Sequence, residues 1–592
     1  MIDPVRCRVV EDWHFSEGGR GGERRVIELR GELAPGTRLS EGSNPFALYE
    51  LPAPFPYQPH ARWIHAARSV TVLEVLDDGA LITETAVDGV TWSELPLALT
   101  PSPPPRAGNQ QSAIDAWADT VLAALPRLPE DPASDILRRR PPRTRGSSGG
   151  LAPSTGDDVD AILRSLLDLD RSYHAVQGPP GTGKTYDGSH VIARLVRDHG
   201  YRVGVVAQSH AVVENMLDRV VAAGVAPQQV AKAPKDASTT DVSFTVIPKN
   251  GVASFVAEQS GGFVLGGTAW DFSHEGRVPR GSLDLLVIDE AGQFSLASTI
   301  AVSLAAPRLL LLGDPQQLPQ VSQGTHPEPV DTSALGWVMD GADVVPPEYG
   351  YFLGRTWRMH PAVAGPVSRL SYRGELVSHP SAALRSLDGI EPGVHALPVC
   401  HRGNATQSPE EAAIVVELVR DLLSRPWTDA ATDDDGSATL LDPRPLEQGD
   451  IIVVTPYNAQ QVEVERALAA VGFAEVRVGT VDRFQGQEAV VAIVSLAASS
   501  GRDAPRGLEF LLLRNRLNVA ISRAKHTAYM VFAPGLLDDF PRTPEGVARL
   551  SGFARLVNEA PAPSESQAPI LRTRDRVMST PSGHSPWPLN LS

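Results

Sequence analysis

The sequence predicts an α/β fold in which two parallel-sheet domains stand in tandem behind a small β-rich domain. Apolar runs without alternation are typical of strands buried on both faces of a parallel sheet, and here they fall into two groups about 140 residues apart. The first group comprises residues 203–207, 283–288 and 309–312, and the second comprises 451–454, 490–496 and 529–532. A glycine-rich loop precedes the first group and has no counterpart ahead of the second.

The glycine-rich loop is the segment that most directly indicates a binding site. It reads Gln177-Gly178-Pro179-Pro180-Gly181-Thr182-Gly183-Lys184-Thr185. Glycines let the backbone turn tightly and aim its N–H groups at a polyphosphate, and the spacing puts Lys184 near the β- and γ-phosphates and Thr185 on Mg²⁺. A short apolar run leads into the loop, and a helical pattern that ends at Gly200 follows it. The loop therefore predicts a nucleoside triphosphate site at a helix N-terminus.

The composition is that of a large globular protein. Its 592 residues, 42% of them apolar, leave room for roughly three or four domains. No segment has the apolar length of a transmembrane helix and the N-terminus lacks a signal-peptide core, so we expect a cytoplasmic protein without a membrane partner. Cys7 and Cys400 predict neither a disulfide framework nor a zinc site. A net charge of −17 argues against coating nucleic acid through bulk charge but leaves a local basic groove open.

The chain ahead of the loop changes in character twice. Residues 1–105 alternate like strands, with a hairpin signal where 70–76 and 80–84 flank an Asp-Asp-Gly turn, and they predict a small barrel or open sheet. Residues 110–125 carry an apolar helical stripe, which favours a packing helix over a partner-binding one. The stretch 126–155, rich in Pro, Gly, Ser and Arg, predicts a linker or mobile loop whose arginines either contact phosphates or are solvated.

Two polar segments follow strands of the first group. Asp289 and Glu290 end the strand 283–288, at the sheet edge where the phosphate loop also emerges. There Asp289 would hold Mg²⁺ and Glu290 would deprotonate the attacking water, although such a pair alone is often a solvated strand end. The strand 309–312 leads into a loop whose Gln317 can sense a γ-phosphate.

These segments resemble, in order, the motifs of superfamily 1 helicases. The matching segments are Gln177–Thr185 for motif I, Asp289–Gln293 for motif II, Gly313–Pro319 for motif III, Thr356–Pro361 for motif IV, Gly479–Glu488 for motif V and Arg516–Lys525 for motif VI. The residues of these motifs are similar to those in the branch that contains the nonsense-mediated mRNA decay helicase and the Dna2-type nuclease–helicases. They look closest to those of bacterial proteins in which a RecB-like nuclease precedes such a helicase.

The resemblance implies two RecA-like domains that hold ATP and Mg²⁺ between them. Arg358 and Arg523 would reach the γ-phosphate from the second domain, and Gln317 would couple its loss to the nucleic-acid groove. Tyr457 would stack on the adenine and Glu488 would touch the ribose. The alternative for Tyr457 is an ordinary packed loop aromatic.

The resemblance also implies a path for single-stranded nucleic acid across both domains. Ser209, His210, Thr268 and Thr480 would meet the strand. For Ser209 and His210 the alternative is a simple turn at a strand end. Arginine outnumbers lysine strongly, which suggests a GC-rich genome and favours DNA slightly over RNA.

The chain departs from the family pattern at two places. Relatives carry a glutamine that reads adenine some sixteen residues ahead of motif I, where this chain has Asp157-Asp-Val-Asp-Ala161. Relatives also carry Asn and Asp where this chain has His210 and Glu214. Nucleotide preference and the backbone contacts near His210 are therefore open.

The resulting domain prediction divides the chain into five parts. They are an accessory barrel-like domain at 1–105, a stalk helix and linker at 106–155, RecA-like domain 1 at 156–330, RecA-like domain 2 at 331–550 and a disordered tail at 551–592. The leading functional hypothesis is an ATP-driven helicase or translocase on tailed or single-stranded nucleic acid, moving 5′ to 3′ by resemblance. The alternatives are an ATP-switched clamp for a strand or partner, and the motor part of a nuclease–helicase assembly.

Overall fold

The computed structural model describes residues 2–15, 22–33, 39–57, 65–76, 78–100, 108–146, 150–154, 156–234, 242–320, 326, 329–432, 438–484, 486–505, 507–539, 541 and 543–558. The chain divides into two compact units, Met1–Arg106 and Ala107–Ser592. Within the described residues, no helix is both long enough and apolar enough to cross a membrane.

The first unit is an antiparallel β-structure. Its strands are β1 (Ile2–His14), β2 (Arg24–Leu33), β3 (Phe46–Glu50), β4 (His65–Ser69), β5 (Thr71–Leu76), β6 (Gly79–Thr85) and β7 (Ala98–Thr100). They form one sheet in the order β4-β3-β7-β1-β2-β6-β5. The antiparallel pairing of β5 with β6 confirms the hairpin predicted from the Asp-Asp-Gly turn.

A buried ion pair lies at the centre of this unit. Arg25 and Glu84 are each 1% exposed and bond to each other through the guanidinium Nε. The remaining guanidinium nitrogens donate to the backbone carbonyls of Trp92 and Glu94, and the Tyr49 hydroxyl donates to Glu84 at 2.6 Å. A buried charge pair is tolerated only when its donors and acceptors are satisfied in this way. We therefore assign the pair a structural role.

The second unit begins with helices that pack against a parallel sheet. Its first elements are α1 (Asn109–Ala124), α2 (Pro132–Leu137), α3 (Asp158–Asp168), β8 (Tyr173–Gln177), α4 (Lys184–His199), β9 (Arg202–Val206), α5 (His210–Ala222), β10 (Val230–Lys232), β11 (Thr245–Val246), α6 (Val252–Glu258), β12 (Phe263–Gly267), α7 (Ala269–Phe272), β13 (Leu285–Ile288), α8 (Leu296–Ser303), β14 (Leu309–Gly313), α9 (Ala334–Met339) and β15 (Gly350–Phe352). The sheet order is β11-β10-β12-β9-β13-β14-β8-β15, and every pairing in it is parallel.

A second parallel sheet follows in the chain. The elements are β16 (Arg355–Thr356), α10 (Pro361–Ser371), β17 (Val377–Ser378), β18 (Ser386–Leu387), β19 (Gly393–Pro398), α11 (Pro409–Leu422), β20 (Pro426–Thr428), β21 (Ala430–Thr432), β22 (Ala438–Leu440), β23 (Arg444–Pro445), β24 (Ile451–Thr455), α12 (Asn458–Ala469), β25 (Arg477–Thr480), β26 (Ala489–Ser495), α13 (Gly507–Leu511), α14 (Arg514–Ile521), β27 (Ala524–Phe532) and α15 (Pro544–Asn558). The main sheet has the order β19-β27-β26-β24-β25. Two parallel sheets in tandem confirm the predicted α/β fold class with two RecA-like domains.

The first sheet takes in a strand beyond the division predicted at residues 330 and 331, and that division stays a prediction. The strand β15 pairs with β8 in the first sheet, with Gly350 opposite Ala175 and Phe352 opposite Gln177. The first sheet domain therefore reaches Phe352, because a short edge strand completes it after a break of almost forty residues from β14. At the other end, α15 continues to Asn558, beyond the predicted start of the tail at 551, and the rest of that tail lies outside the described residues.

The segment predicted to be a linker is an ordered part of the first sheet domain over residues 126–146. Asp135, which is 1% exposed, accepts hydrogen bonds from Ser172 at 2.7 Å and from the Arg143 guanidinium at 2.9 Å. The Arg139 guanidinium stacks over the Trp337 ring at 3.7 Å. These two arginines hold the segment in place by charge and stacking, so the solvated alternative is wrong for both.

The buried His174 in β8 leads to a prediction about pH. Its side chain is fully buried and both ring nitrogens lack a hydrogen-bond partner within the described residues, and burial lowers the pKa of His174 to about 3. The unfolded chain binds a proton below its ordinary pKa of about 6.5, while the folded chain binds one only near pH 3. Stability should therefore fall as the pH drops below 6.5, by about 2 kcal/mol at pH 5 from this residue.

In the variant His174→Leu, the unfolding free energy should no longer contain the part of its pH dependence that comes from His174. Urea unfolding at pH 7 and pH 5 measures it, with each protein serving as its own reference. We expect the drop in unfolding free energy between the two pH values to be smaller in the variant by about 2 kcal/mol. Equal drops in the two proteins would show that His174 is protonated alike in the folded and unfolded chains.

Candidate nucleotide site at the junction of the two sheets

The glycine-rich loop connects β8 to α4, as its spacing predicts. Gly181 and Gly183 have φ angles of +74° and +86°, in the left-handed region that glycine adopts without strain. The loop is fixed by a hydrogen bond from the Gly178 amide to the Gly313 carbonyl at 2.9 Å and by one from the Thr182 hydroxyl to the Pro179 carbonyl at 2.8 Å. Because α4 begins at Lys184, the loop presents a helix N-terminus, which is favourable for an anion.

The predicted catalytic lysine and both carboxylates meet beside this loop. The Lys184 ammonium lies 2.8 Å from Glu290 Oε1 and 3.6 Å from Asp289 Oδ1. Burial disfavours the charged ammonium, but the two carboxylates outweigh it and hold the pKa of Lys184 above its usual value. Burial raises the pKa of Asp289, an effect that Lys184 opposes. The cluster thus places one cation and two oxygen-rich groups at the ligand edge of the sheet.

The backbone of Glu290 is strained. Its φ angle is +55°, in a region that residues other than glycine seldom adopt. The Glu290 amide donates to the Asp289 carboxylate at 2.9 Å and the Glu290 carbonyl accepts from the Gln293 amide at 2.7 Å, and these bonds hold the turn. Strain of this kind costs roughly 1–3 kcal/mol and is concentrated at functional sites. Here it directs the Glu290 carboxylate towards Lys184.

The chain that leaves the first sheet crosses the loop at Gly181. The Thr356 hydroxyl donates to the Pro180 carbonyl at 3.0 Å, and the Trp357 amide donates to the Gly181 carbonyl at 2.8 Å. A Cβ atom on Gly181 would lie 2.7 Å from the Thr356 hydroxyl oxygen and would overlap the Cβ of Arg358. Only glycine fits this crossing, which brings Arg358 directly against the phosphate loop.

Both predicted arginines lie at this junction. The Arg358 guanidinium donates to Glu488 at 2.8 Å and to the Ser522 carbonyl at 3.2 Å. Arg523 is 1% exposed and donates to two backbone carbonyls, while its Nη2 has no partner within the described residues. Burial and the neighbouring Arg358 lower the pKa of Arg523 to about 9. A buried guanidinium with an unused donor suits an anionic ligand such as a terminal phosphate.

A second group of contacts, which the sequence did not reveal, joins the two sheet domains through the motif III loop. Asp314, 1% exposed, accepts from Gln317 at 3.1 Å, from Gln177 at 3.3 Å and from the Tyr372 hydroxyl at 2.6 Å. The Asn518 amide of α14 donates to the Tyr372 hydroxyl at 2.8 Å. The predicted γ-phosphate sensor Gln317 is thus connected through Asp314 to Tyr372, and through Tyr372 to Asn518, both in the second domain. No local pattern marks Tyr372, because its partner lies 58 residues earlier.

The predicted adenine contact, Tyr457, lies in a packed environment. Tyr457 is 5% exposed and belongs to a buried hydrophobic cluster, with its ring 5.9 Å from that of Phe510. Its role as a stacking partner stays a prediction, and its surroundings are those of the packed alternative. An aromatic that sequence reasoning missed is better exposed. Trp357 is 41% exposed beside the phosphate loop and stacks on His379 with ring centroids 3.7 Å apart.

The predicted nucleic-acid residues divide between the two sheets. Ser209 caps α5, and the His210 ring lies 2.9 Å from the Lys232 ammonium. Thr268 caps α7, and because β9 and β12 are neighbours, these three residues lie at adjacent strand ends. Thr480 ends β25 in the second sheet, and the described contacts do not join it to the other three.

The acidic segment that replaces the expected glutamine lies beside α4. Burial, together with the charges of Asp158 and Asp157, raises the pKa of Asp187 to about 7. Asp187 is in the first turn of α4, one turn beyond Lys184. The chain therefore has carboxyl groups, and no amide, at this position ahead of motif I.

Comparisons with known proteins agree with this geometry. One AAA domain family model matches residues 157–333, which hold β8 to β14 of the first sheet, and another matches residues 339–533, which hold the whole second sheet. A DNA replication ATP-dependent helicase/nuclease, DNA2, from Bos taurus is 24% identical over 479 residues, which make up 72% of this chain and 43% of that protein. DNA-binding protein SMUBP-2 from Rattus norvegicus is 26% identical over 509 residues, or 74% of this chain and 47% of that protein.

A third relative completes the comparison. The regulator of nonsense transcripts 1 homolog from Drosophila melanogaster is 26% identical over 451 residues, or 69% of this chain and 36% of that protein. In sequence the chain is similar to the Dna2-like and nonsense-mediated-decay-like branch of superfamily 1 helicases. The superfamily predicted from the six motifs is therefore confirmed. This superfamily 1 chain spans less than half the length of the three relatives.

Proposed function

We propose that this chain is an ATP-driven motor that moves along a single strand of nucleic acid and opens duplexes with a single-stranded tail. The proposal rests on two observations at the contact between the two sheet domains: Arg358 lies against Gly181 of the phosphate loop that carries Lys184, and the charge of Glu290 acts on Arg523. A site built by both domains links the state of a bound nucleotide to the distance between them. An isolated nucleotide-binding domain has no need of cations from a second domain.

In this proposal the ATP phosphates lie in the loop from Gln177 to Thr185. Lys184 neutralises the β- and γ-phosphates as a point charge. Thr185 and Asp289 supply a hydroxyl and a carboxylate oxygen, the donors that Mg²⁺ prefers, and the two side chains belong to segments that meet at one sheet edge. When bound, Mg²⁺ neutralises charge on the phosphate oxygens. Glu488, which is bonded to Arg358, is proposed to contact the ribose.

In this proposal both sheet domains supply residues for hydrolysis. Glu290 orients and deprotonates the attacking water from the first domain. Arg358 and Arg523 stabilise the charge that spreads over the departing phosphoryl group. Gln317 senses that group, and the Asp314–Tyr372 hydrogen bond carries the change into the second domain. Each turnover then changes the contact between the domains, which is what a strand-translocating motor requires.

The strand is proposed to be DNA in preference to RNA, with movement 5′ to 3′ as in similar helicases. Two of the relatives above have names that refer to DNA, and the third is a regulator of nonsense transcripts. Relatives described as helicase/nucleases also support a nuclease domain or subunit as a partner.

The function is tested with wild type and the variant Glu290→Gln. We expect single-stranded nucleic acid to raise the wild-type ATPase rate many-fold, DNA more than RNA, and a tailed duplex to be opened. Glu290→Gln should bind ATP but turn it over at least about a hundredfold more slowly, because a positioned general base contributes about 10²–10⁴ in rate.

The matched control is Glu275→Gln, an exposed carboxylate paired with Arg280. It should behave like wild type in all three assays. Stimulated ATPase without strand opening would favour the ATP-switched clamp over the motor. Near wild-type turnover by Glu290→Gln would remove Glu290 from the hydrolytic centre.

A second prediction concerns the nucleotide base. We propose that Trp357, and not the buried Tyr457, stacks on it, since Trp357 is 41% exposed and its backbone amide is bonded to the Gly181 carbonyl. Stacking on an aromatic ring contributes about 1–3 kcal/mol per base, so Trp357→Ala should weaken ATP binding about fivefold to a hundredfold. Binding of inorganic tripolyphosphate, which has no base, should be unchanged. Equal losses for both ligands would mean that Trp357 supports the phosphate loop and does not stack.

A further inference from the structure

Exposed indole rings are rare among the described residues of this chain. Trp270 and Trp357 are 39% and 41% exposed, and the other described tryptophans are more buried. Tryptophan is highly buried on average in folded proteins, so an exposed ring is informative when it lies beside a site. The Trp270 indole makes no hydrogen bond and no ring contact with any residue that the structure describes. Its face is therefore available to a ligand.

The local fold holds Trp270 in a fixed direction. It lies in the first turn of α7, directly after β12, and Thr268 caps this turn. The Thr268 amide and hydroxyl each lie 2.9 Å from Asp271 Oδ2, and Asp271 is also paired with Arg277 at 2.5 Å. These bonds fix the turn on both sides of Trp270, so its ring is presented by a rigid element and not by a loose loop.

The position of Trp270 excludes the nucleotide as its ligand. Strands β9, β13 and β14 separate β12 from β8, which leads into the phosphate loop. At about 4.8 Å per strand, the two sites are about 19 Å apart. By contrast β9 is the direct neighbour of β12, with Val206 opposite Gly267, so Ser209 and His210 emerge one strand away. Trp270 therefore belongs with the proposed strand contacts.

At the strand ends near Trp270, the charges favour a nucleic-acid contact that does not depend on ion pairing. The net charge of the chain is −17. Lys232, at the end of β10, is 1% exposed, and its ammonium is bonded to Glu214 at 2.8 Å and to His210 at 2.9 Å. That cation is already neutralised within the protein and buried. A single strand held here needs a further source of affinity, which base stacking on an aromatic ring supplies without regard to sequence.

We infer that Trp270 is a stacking platform for one base of the single strand, whose backbone passes Thr268 and Ser209. This inference rests on the proposed function and adds a base contact to it. The stack fixes one nucleotide at the C-terminal edge of the first sheet, so that movement of the second domain displaces the strand relative to a held base.

Equilibrium binding of two labelled oligonucleotides of equal length tests the inference. One is single-stranded DNA with all its bases, and the other is abasic throughout, with the same phosphates. Trp270→Ala should weaken binding of the first about fivefold to a hundredfold, the range expected for one stacked base, and leave binding of the second unchanged. Trp270→Phe keeps a ring and should retain most of the affinity. Val256→Ala, an exposed apolar residue of the same domain, is the matched control and should bind both as wild type does.

Each contrary outcome is distinct. Equal losses for the normal and abasic oligonucleotides would overturn stacking, because they would place the effect on the backbone path or the local fold. Unchanged binding by Trp270→Ala would also overturn it and would leave the exposed ring to a protein partner. Failure of the wild-type protein to bind either oligonucleotide would overturn the proposed function and this inference together.

Discussion

The arrangement of the site depends on the crossing of two backbones at Gly181. The phosphate loop and the chain leaving the first sheet are joined there by the hydrogen bond between the Trp357 amide and the Gly181 carbonyl. A side chain at Gly181 would separate them, since its Cβ would overlap Arg358. This contact makes the last strand of the first domain, the phosphate loop and the first residues of the second domain parts of one junction. Arg358, Trp357 and the proposed base site all follow from it.

The charges around the junction are arranged so that each cation has a carboxylate from its own side. Lys184 is paired with Glu290 within the first domain, and Arg358 is paired with Glu488 within the second. In the proposed mechanism, a bound triphosphate offers both cations a stronger anion between the domains, and its attraction for them brings the domains together. Arg523 is the exception, because it keeps an unused donor while buried. Asp314 and Tyr372 then connect this charge exchange to the helix α14.

The sequence predicted the parts of this site that depend on local spacing. A few consecutive residues define the phosphate loop, and a few more define the carboxylates after β13. Each motif is likewise a short segment that can be recognised by itself, and the superfamily assignment was correct for that reason. Contacts between distant segments were not predictable. The Tyr372 hydroxyl, the exposed Trp357 ring and the pairing of β15 with β8 depend on tertiary packing. Composition was misleading at residues 126–146, where Pro and Arg suggested a linker but Asp135 and Trp337 hold the segment against the first sheet.

Steady-state turnover of Arg523→Ala at saturating ATP decides whether cations of the second domain act on a phosphate bound by the first. Such arginines contribute about 10³–10⁵ in rate, or about 4–7 kcal/mol, whereas an exposed ion pair contributes only about 0–1 kcal/mol. We expect turnover to fall at least about a hundredfold with nucleotide binding reduced far less, and Arg549→Ala, at a surface pair with Glu509, to change little. Turnover by Arg523→Ala within about threefold of wild type, in a protein with an unchanged melting transition, would contradict the two-domain mechanism.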